Sequence, residues 1–162
     1  MIHIYNRTGT TGLPLNRKRY IEITTTILGD SKQSLSDLTL IFVDASEIKQ
    51  LNHEFLDNDD ITDVLSFPAD GEIDPESGRA YLGDILICYP RALEQADRAG
   101  HTVGNEIELL LIHGLLHLLG YDHIEAEEKE EMWALQRHYL DHFNIELNHE
   151  PGEVDEDPAE EI

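Results

Sequence analysis

Three histidines stand close together in the stretch HGLLHLLGYDH, residues 113–123. His113 and His117 are four residues apart, so on a helix they lie on one face, one turn from each other. Gly120 allows the chain to turn back after the helix, and this turn would bring His123 to the same place. Three imidazole nitrogens at about 2.0–2.1 Å are the ligands of a zinc ion that keeps its fourth position open. The spacing therefore predicts a metal site formed by His113, His117 and His123.

A zinc ion with an open position favours hydrolysis, because it lowers the pKa of a bound water to about 7. Zinc peptidases with the pattern H-E-x-x-H-x-x-G-x-x-H carry a glutamate as general base directly after the first histidine. In this chain that position is Gly114, which argues against peptide hydrolysis and is expected to leave open space beside the ion. Phosphodiester cleavage stays compatible, because the metal itself stabilises charge on phosphoryl oxygens. Other hydrolases with a three-histidine site are permitted as well.

A second pair of histidines has the same spacing, His138 and His142, with His149 following. No glycine turn follows this pair, and its surroundings are polar. The pattern predicts a surface pair on an amphipathic helix rather than a metal site. The remaining histidines have no spacing typical of a site: His3, His53 and His101.

The helix that carries His113 and His117 is predicted from about Asn105 to Leu119, and it is apolar nearly all round, which places it at the centre of the fold. Around it, the pattern of apolar residues predicts strands at 2–5, 38–44, 64–68 and 81–89. Further helices are predicted to open at Pro14, to follow Asp44, to run from Pro90 to Gly100, and to cover 125–143. Strands and helices alternate irregularly. This order predicts an α+β (mixed α/β) fold, with a small mixed sheet of about four strands and about five helices.

The length of 162 residues indicates one domain over 1–149, followed by a tail, 150–162, whose seven acids and prolines are typical of disorder. Cys88, the only cysteine, lies in the apolar stretch ILICY and is predicted to be a buried strand residue, so no disulfide forms. The first residues show no secretory signal, and no apolar run is long enough for a membrane span. We therefore expect a cytoplasmic protein.

The charge balance is strongly acidic, with 34 acids against 11 bases and a formal net charge of −23. Taken alone, this balance argues against nucleic-acid binding, which usually needs a basic surface. The only dense basic cluster is Arg17-Lys18-Arg19. Two interpretations of this cluster stay open, the solvated side of a helix and a local patch that overrides the global field.

HGLLHLLGYDH, taken together with TDVLSFP (62–68) and LGDILI (82–87) in the same order, resembles the bacterial YbeY family. The stretch LNHEFLDND fits the family pattern as well, and the match runs from about Leu38 to His123. The resemblance implies a zinc-dependent endoribonuclease in which the three histidines hold one zinc ion and the TDVLSFP strand lines a cleft over it. It also implies cleavage of single-stranded RNA at the 3′ end of 16S ribosomal RNA and a role in ribosome quality control. The implied partners are the small ribosomal subunit and ribosome-associated proteins.

The sequence departs from the family at one position. Many members have a Tyr-Arg pair ahead of TDVLSFP, where this chain has Phe55-Leu56. Leucine cannot donate a hydrogen bond to a phosphate, and Arg79, which precedes the neighbouring strand, is a candidate substitute. Two other functions therefore stay open, a ribosome-assembly factor with a mainly structural zinc site and a zinc hydrolase of another substrate class.

Overall fold

Four strands and five helices make up the part of the chain that the computed structural model describes, residues 1–56, 62–121 and 125–147. This confirms the predicted α+β fold. The elements follow in the order β1 Ile2–Asn6, α1 Arg17–Asp30, β2 Ser36–Val43, α2 Ala45–Leu56, β3 Val64–Pro68, β4 Ala80–Cys88, α3 Tyr89–Ala99, α4 Val103–Leu118 and α5 Ala126–His142.

The sheet has the strand order β1-β2-β4-β3. β1, β2 and β4 are parallel, while β3 pairs antiparallel with β4 and lies at the edge. Along this last pairing, Ser66 is opposite Ile85 and Pro68 is opposite Gly83. β2 and β4 end in runs of buried residues, as expected of central strands that are covered on both faces.

Two apolar clusters cover the two faces of the sheet. The larger one joins Leu38, Leu40 and Phe42 of β2 to α1, α4 and α5. The smaller one lies under α2 and contains Ile41, Val43, Ile48, Leu65, Leu86 and Cys88. Cys88 is fully buried, as the sequence predicts. Alternate residues of β2 point to opposite clusters, which is the two-residue period of a strand.

Side-chain caps decide where the first two helices begin. α1 starts after Asn16, whose side chain accepts a hydrogen bond from the amide of Arg19 at 3.1 Å. The prediction that Pro14 opens this helix is therefore wrong, because Asn16 supplies the cap acceptor further along the chain. α2 starts as predicted, with Asp44 Oδ1 accepting from the amide of Glu47 at 2.8 Å.

The only dense basic cluster of the sequence lies in the first turn of α1 and is largely used inside the protein. Arg17 donates to the carbonyl of Ile4 at 3.0 Å. Arg19 donates to the carboxylate of Glu108 and to the carbonyl of Phe143, which ties α1 to α4 and to the end of α5. Two of the three basic side chains therefore hold the fold together.

None of the helices in the described ranges is long and apolar enough to cross a membrane. The predicted tail at 150–162 lies outside the described residues.

Candidate metal centre

α4 carries the predicted metal ligands through the middle of the fold. It contacts β3 and β4 on the sheet side and α1, α3 and α5 on its other sides. Thr102 begins the helix by accepting a hydrogen bond from the amide of Asn105 at 3.1 Å. The helix buries an acid, Glu106, whose Oε2 lies 2.5 Å from Nε2 of His101. The sequence indicated no role for His101, because its pairing with Glu106 is visible only in the folded structure, where both side chains are buried together.

His113 and His117 face each other on α4. Their ring centroids are 4.6 Å apart, and their Nε2 atoms are separated by 3.1 Å. Two nitrogen ligands at about 2.0–2.1 Å from a tetrahedral zinc ion lie roughly 3.4 Å from each other. The two imidazoles thus present one nitrogen each at close to the separation that a shared cation requires. Both side chains are half-buried, so an ion between them would still be reached from solvent.

The orientation of the His113 ring is set by a residue of α5. Nδ1 of His113 donates to Oε1 of Gln136 at 2.9 Å, and Gln136 is only 3% exposed. Because the proton sits on Nδ1, the lone pair of the neutral ring is on Nε2, the atom that faces His117. Sequence reasoning missed Gln136. The available signal was a polar residue within the apolar side of α5, four residues after Met132 and three before Tyr139.

The end of α4 is the glycine turn that the sequence predicts. Gly120 has a φ of 99°, its amide donates to the carbonyl of His117 at 3.0 Å, and the amide of Tyr121 donates to the carbonyl of Leu116 at 3.0 Å. These two bonds form a Schellman motif, which uses glycine to leave a helix. His123, the third predicted ligand, lies outside the described residues and stays a prediction.

Within the described ranges, which omit His123, no group of three or more His, Cys, Asp or Glu side chains is placed to hold a metal ion. The structure brings together the pair His113 and His117. The rings of His138 and His142 are further apart, with centroids at 6.3 Å, and both side chains are exposed on α5 as predicted.

Gly114 faces the sheet, and this corrects one expectation. A Cβ atom at this position would lie 2.8 Å from Cγ2 of Ile85 and 3.2 Å from Oγ of Ser66. The prediction that Gly114 leaves open space beside the ion is therefore wrong, because β3 and β4 fill that space. Ser66, in the TDVLSFP strand, donates to the carbonyl of Gly114 at 3.3 Å, so this strand does lie against the histidine helix. Glycine is needed here for the close approach of α4 to the sheet.

Replacing Gly114 with alanine is expected to destabilise the fold by about 1–3 kcal/mol, the usual cost of overpacking a core. The matched control is Gly104→Ala in the same helix, where the added Cβ would meet Oγ1 of Thr102 at an ordinary contact distance of 3.8 Å. Alanine is the better helix former, so the control should be neutral or stabilising. Urea unfolding of both variants measures the difference. Equal stabilities would refute the close approach as the reason for Gly114.

The residues in place of the family's Tyr-Arg pair are exposed at the end of α2. Phe55 is 64% exposed, and its ring meets the ring of Phe67 edge-on with centroids 5.5 Å apart. Arg79, the candidate substitute for the family's arginine, donates to Asp37 of β2 at 2.8 Å. This bond holds the pKa of Asp37 below its usual value.

Comparisons with known proteins agree with this architecture. A family model described as "Endoribonuclease YbeY" matches residues 4–144. A protein named endoribonuclease YbeY from Mycobacterium sp. (strain KMS) is 46% identical over 114 residues, which is 67% of this chain and 64% of that protein. Another of the same name from Corynebacterium diphtheriae is 40% identical over 148 residues, 86% of this chain and 74% of the relative. The chain thus spans just under two thirds of the length of the mycobacterial relative.

A solved structure is similar over most of the chain. The solution structure of TM1509 from Thermotoga maritima superposes with a TM-score of 0.62 at 30% sequence identity. The match covers 88% of this chain and 89% of that one. The arrangement of strands and helices described above is therefore that of a solved relative.

Proposed function

The chain belongs to the YbeY family, and from this premise we propose that it is a single-metal endoribonuclease that cleaves single-stranded parts of ribosomal RNA precursors. The observation that carries the proposal is the pair of Nε2 atoms 3.1 Å apart on α4. The substrate we propose is the 3′ end of 16S ribosomal RNA, and the cellular role is ribosome maturation and quality control in the cytoplasm. The partners would be the small ribosomal subunit and proteins bound to it.

We propose His113, His117 and His123 as the ligands of one zinc ion. The donor set supports this ion, because imidazole nitrogens in a group of three are typical of hydrolytic zinc sites. When bound, the ion would supply positive charge at a phosphoryl oxygen and lower the pKa of a water at its open position.

The chain's own residues have separate tasks in this proposal. α4 holds the two imidazoles one helical turn apart, and Gln136 keeps the proton of His113 on Nδ1. The packing of Gly114 against Ile85 and Ser66 holds α4 close to the sheet. A peptidase would need a glutamate at this position, where even a Cβ atom is crowded. Phosphodiester cleavage is therefore favoured over peptide hydrolysis among the reactions of a three-histidine site.

One observation favours a second candidate, a ribosome-assembly factor whose metal is mainly structural. The protein has a formal net charge of −23, and Arg17 and Arg19 of its only basic cluster contact the protein itself. RNA binding by general attraction to phosphate is therefore weak. Contact with ribosomal proteins would not need that attraction.

Removal of the metal tests the proposal. We expect chelation to lower the cleavage of a single-stranded RNA by more than about 100-fold, because the ion supplies several kcal/mol of charge stabilisation, and stoichiometric zinc to restore it. Cleavage is followed on denaturing gels and the fold by circular dichroism. A fully paired duplex of the same sequence is the control and should stay intact. Unchanged cleavage after chelation would refute the metal-dependent reaction. If metal-loaded protein never cuts RNA but sediments with small ribosomal subunits, the assembly factor is the better function.

A further inference from the structure

We infer that Gln136 is a positioning residue of the metal centre, which fixes the tautomer and the ring orientation of His113 and thereby raises the affinity of the site for its metal. The inference rests on the proposed metal centre, and it concerns a residue of α5 that is 23 positions away from His113 in the chain.

The physical reason is the chemistry of imidazole. A neutral ring carries its proton on one nitrogen, and only the other nitrogen can bind a metal. Oε1 of Gln136 accepts a hydrogen bond from the N–H of Nδ1 at 2.9 Å, which leaves Nε2 of His113 unprotonated on the side of His117. Without an acceptor at this place, the tautomer with its proton on Nε2 would become more populated. Binding of the metal would then have to select the other tautomer.

The buried position of Gln136 indicates that its amide needs the hydrogen bond to His113. Gln136 lies on the apolar side of α5, between the buried Met132 and Tyr139. Burying an amide without a hydrogen bond is unfavourable, and the bond to His113 offsets this cost. α5 is anchored by α1, because Arg19 donates both to the carbonyl of Phe143 at the end of α5 and to Glu108 of α4. The acceptor thus has a defined position relative to α4.

The amide has one advantage over a carboxylate at this position. Both groups accept a hydrogen bond from Nδ1, but a carboxylate adds a negative charge next to the metal ligand. In a chain of net charge −23 acting on a phosphodiester, a further acid at the centre would oppose the approach of the substrate. Glutamine orients the ring without this charge.

The test compares Gln136→Leu, which keeps the volume and removes the acceptor, with Gln136→Glu, which keeps an acceptor. Zinc and cobalt affinities are measured at pH 8 by competition with a chromophoric chelator. We expect the leucine variant to bind either metal about 10–100-fold more weakly, the usual effect of removing a partner of a metal ligand. The glutamate variant should bind at least as tightly as the wild type. In metal-free protein, the ¹⁵N resonances of His113 should report a single tautomer in the wild type and a mixture in Gln136→Leu.

The matched control is Tyr139→Phe, which removes a partly buried hydrogen bond of equal length, 2.9 Å, from the same helix and leaves the bond between Gln136 and His113 in place. It should lose stability and keep its metal affinity. The inference is overturned if Gln136→Leu keeps both the affinity and the single tautomer, or if Tyr139→Phe loses as much affinity. A wild-type protein that binds neither metal would instead refute the proposed centre, so the two failures are distinguishable.

Discussion

Replacing His117 with alanine is expected to weaken zinc binding on the order of 1000-fold or more and to abolish RNA cleavage. The variant loses one of the two imidazoles whose Nε2 atoms lie 3.1 Å apart, and His113 alone offers a single nitrogen from α4. Loss of a direct ligand costs more than loss of a partner of a ligand, for which factors of about 10–100 are usual. Zinc content by mass spectrometry, zinc affinity and cleavage of a single-stranded RNA are the measurements.

The matched control for this variant is His138→Ala. His138 also has a histidine four residues further along its helix, but its side chain is exposed and the ring centroids of that pair are 6.3 Å apart. The control should bind zinc and cleave RNA like the wild type. Thermal unfolding of the metal-free proteins shows whether the His117 variant has kept its fold. Full zinc affinity in a folded His117→Ala protein would rule out His117 as a ligand.

Gly83→Ala is expected to destabilise the protein by about 3 kcal/mol or more, the combined cost of backbone strain and overpacking. Gly83 has a φ of 140°, and a Cβ atom there would lie 2.2 Å from the carbonyl oxygen of Phe67. The same atom would meet Cα of Pro68 and Cδ2 of Leu118, each at 3.0 Å. Two of these three atoms belong to the backbone of β3, so relief requires moving the strand away from β4.

A second glycine separates crowding from backbone strain. Gly78 has a φ of 71°, with no atom within 4 Å of an added Cβ, so Gly78→Ala carries the left-handed strain alone, about 1–2 kcal/mol. Urea unfolding of both variants gives the difference in the free energy of unfolding. If Gly83→Ala lowers the free energy of unfolding by no more than Gly78→Ala, close packing of β3 and α4 around Gly83 is ruled out. Because Leu118 directly follows His117, we also expect the Gly83 variant to bind zinc more weakly.

The local features of this fold were predictable from the sequence. β3 and α4 were recognised from apolar runs of the right length, and the end of α4 from Gly120, because these signals act within a few residues. The convergence of His113 and His117 followed from helical geometry alone. The third ligand, His123, stays a prediction.

Features that depend on packing between distant segments were not predictable. The bond from His113 to Gln136 joins two helices, and Arg19 reaches Glu108 across 89 residues. The role of Gly114 in close packing was missed, because its neighbours Ser66 and Ile85 come from β3 and β4, which are distant from α4 in the chain. A single sequence contains the types of these residues but not their distances.

The bond from Arg19 to the carbonyl of Phe143 has a consequence for the whole molecule. It anchors the last turn of α5 to the first turn of α1, while the middle of α5 supports His113 through Gln136. α1 is thus connected to the proposed metal ligand His113 through a single helix, α5. A truncation after Leu147 keeps every residue of this connection. A truncation ahead of Gln136 would remove both the carbonyl of Phe143 that Arg19 contacts and the amide that orients His113.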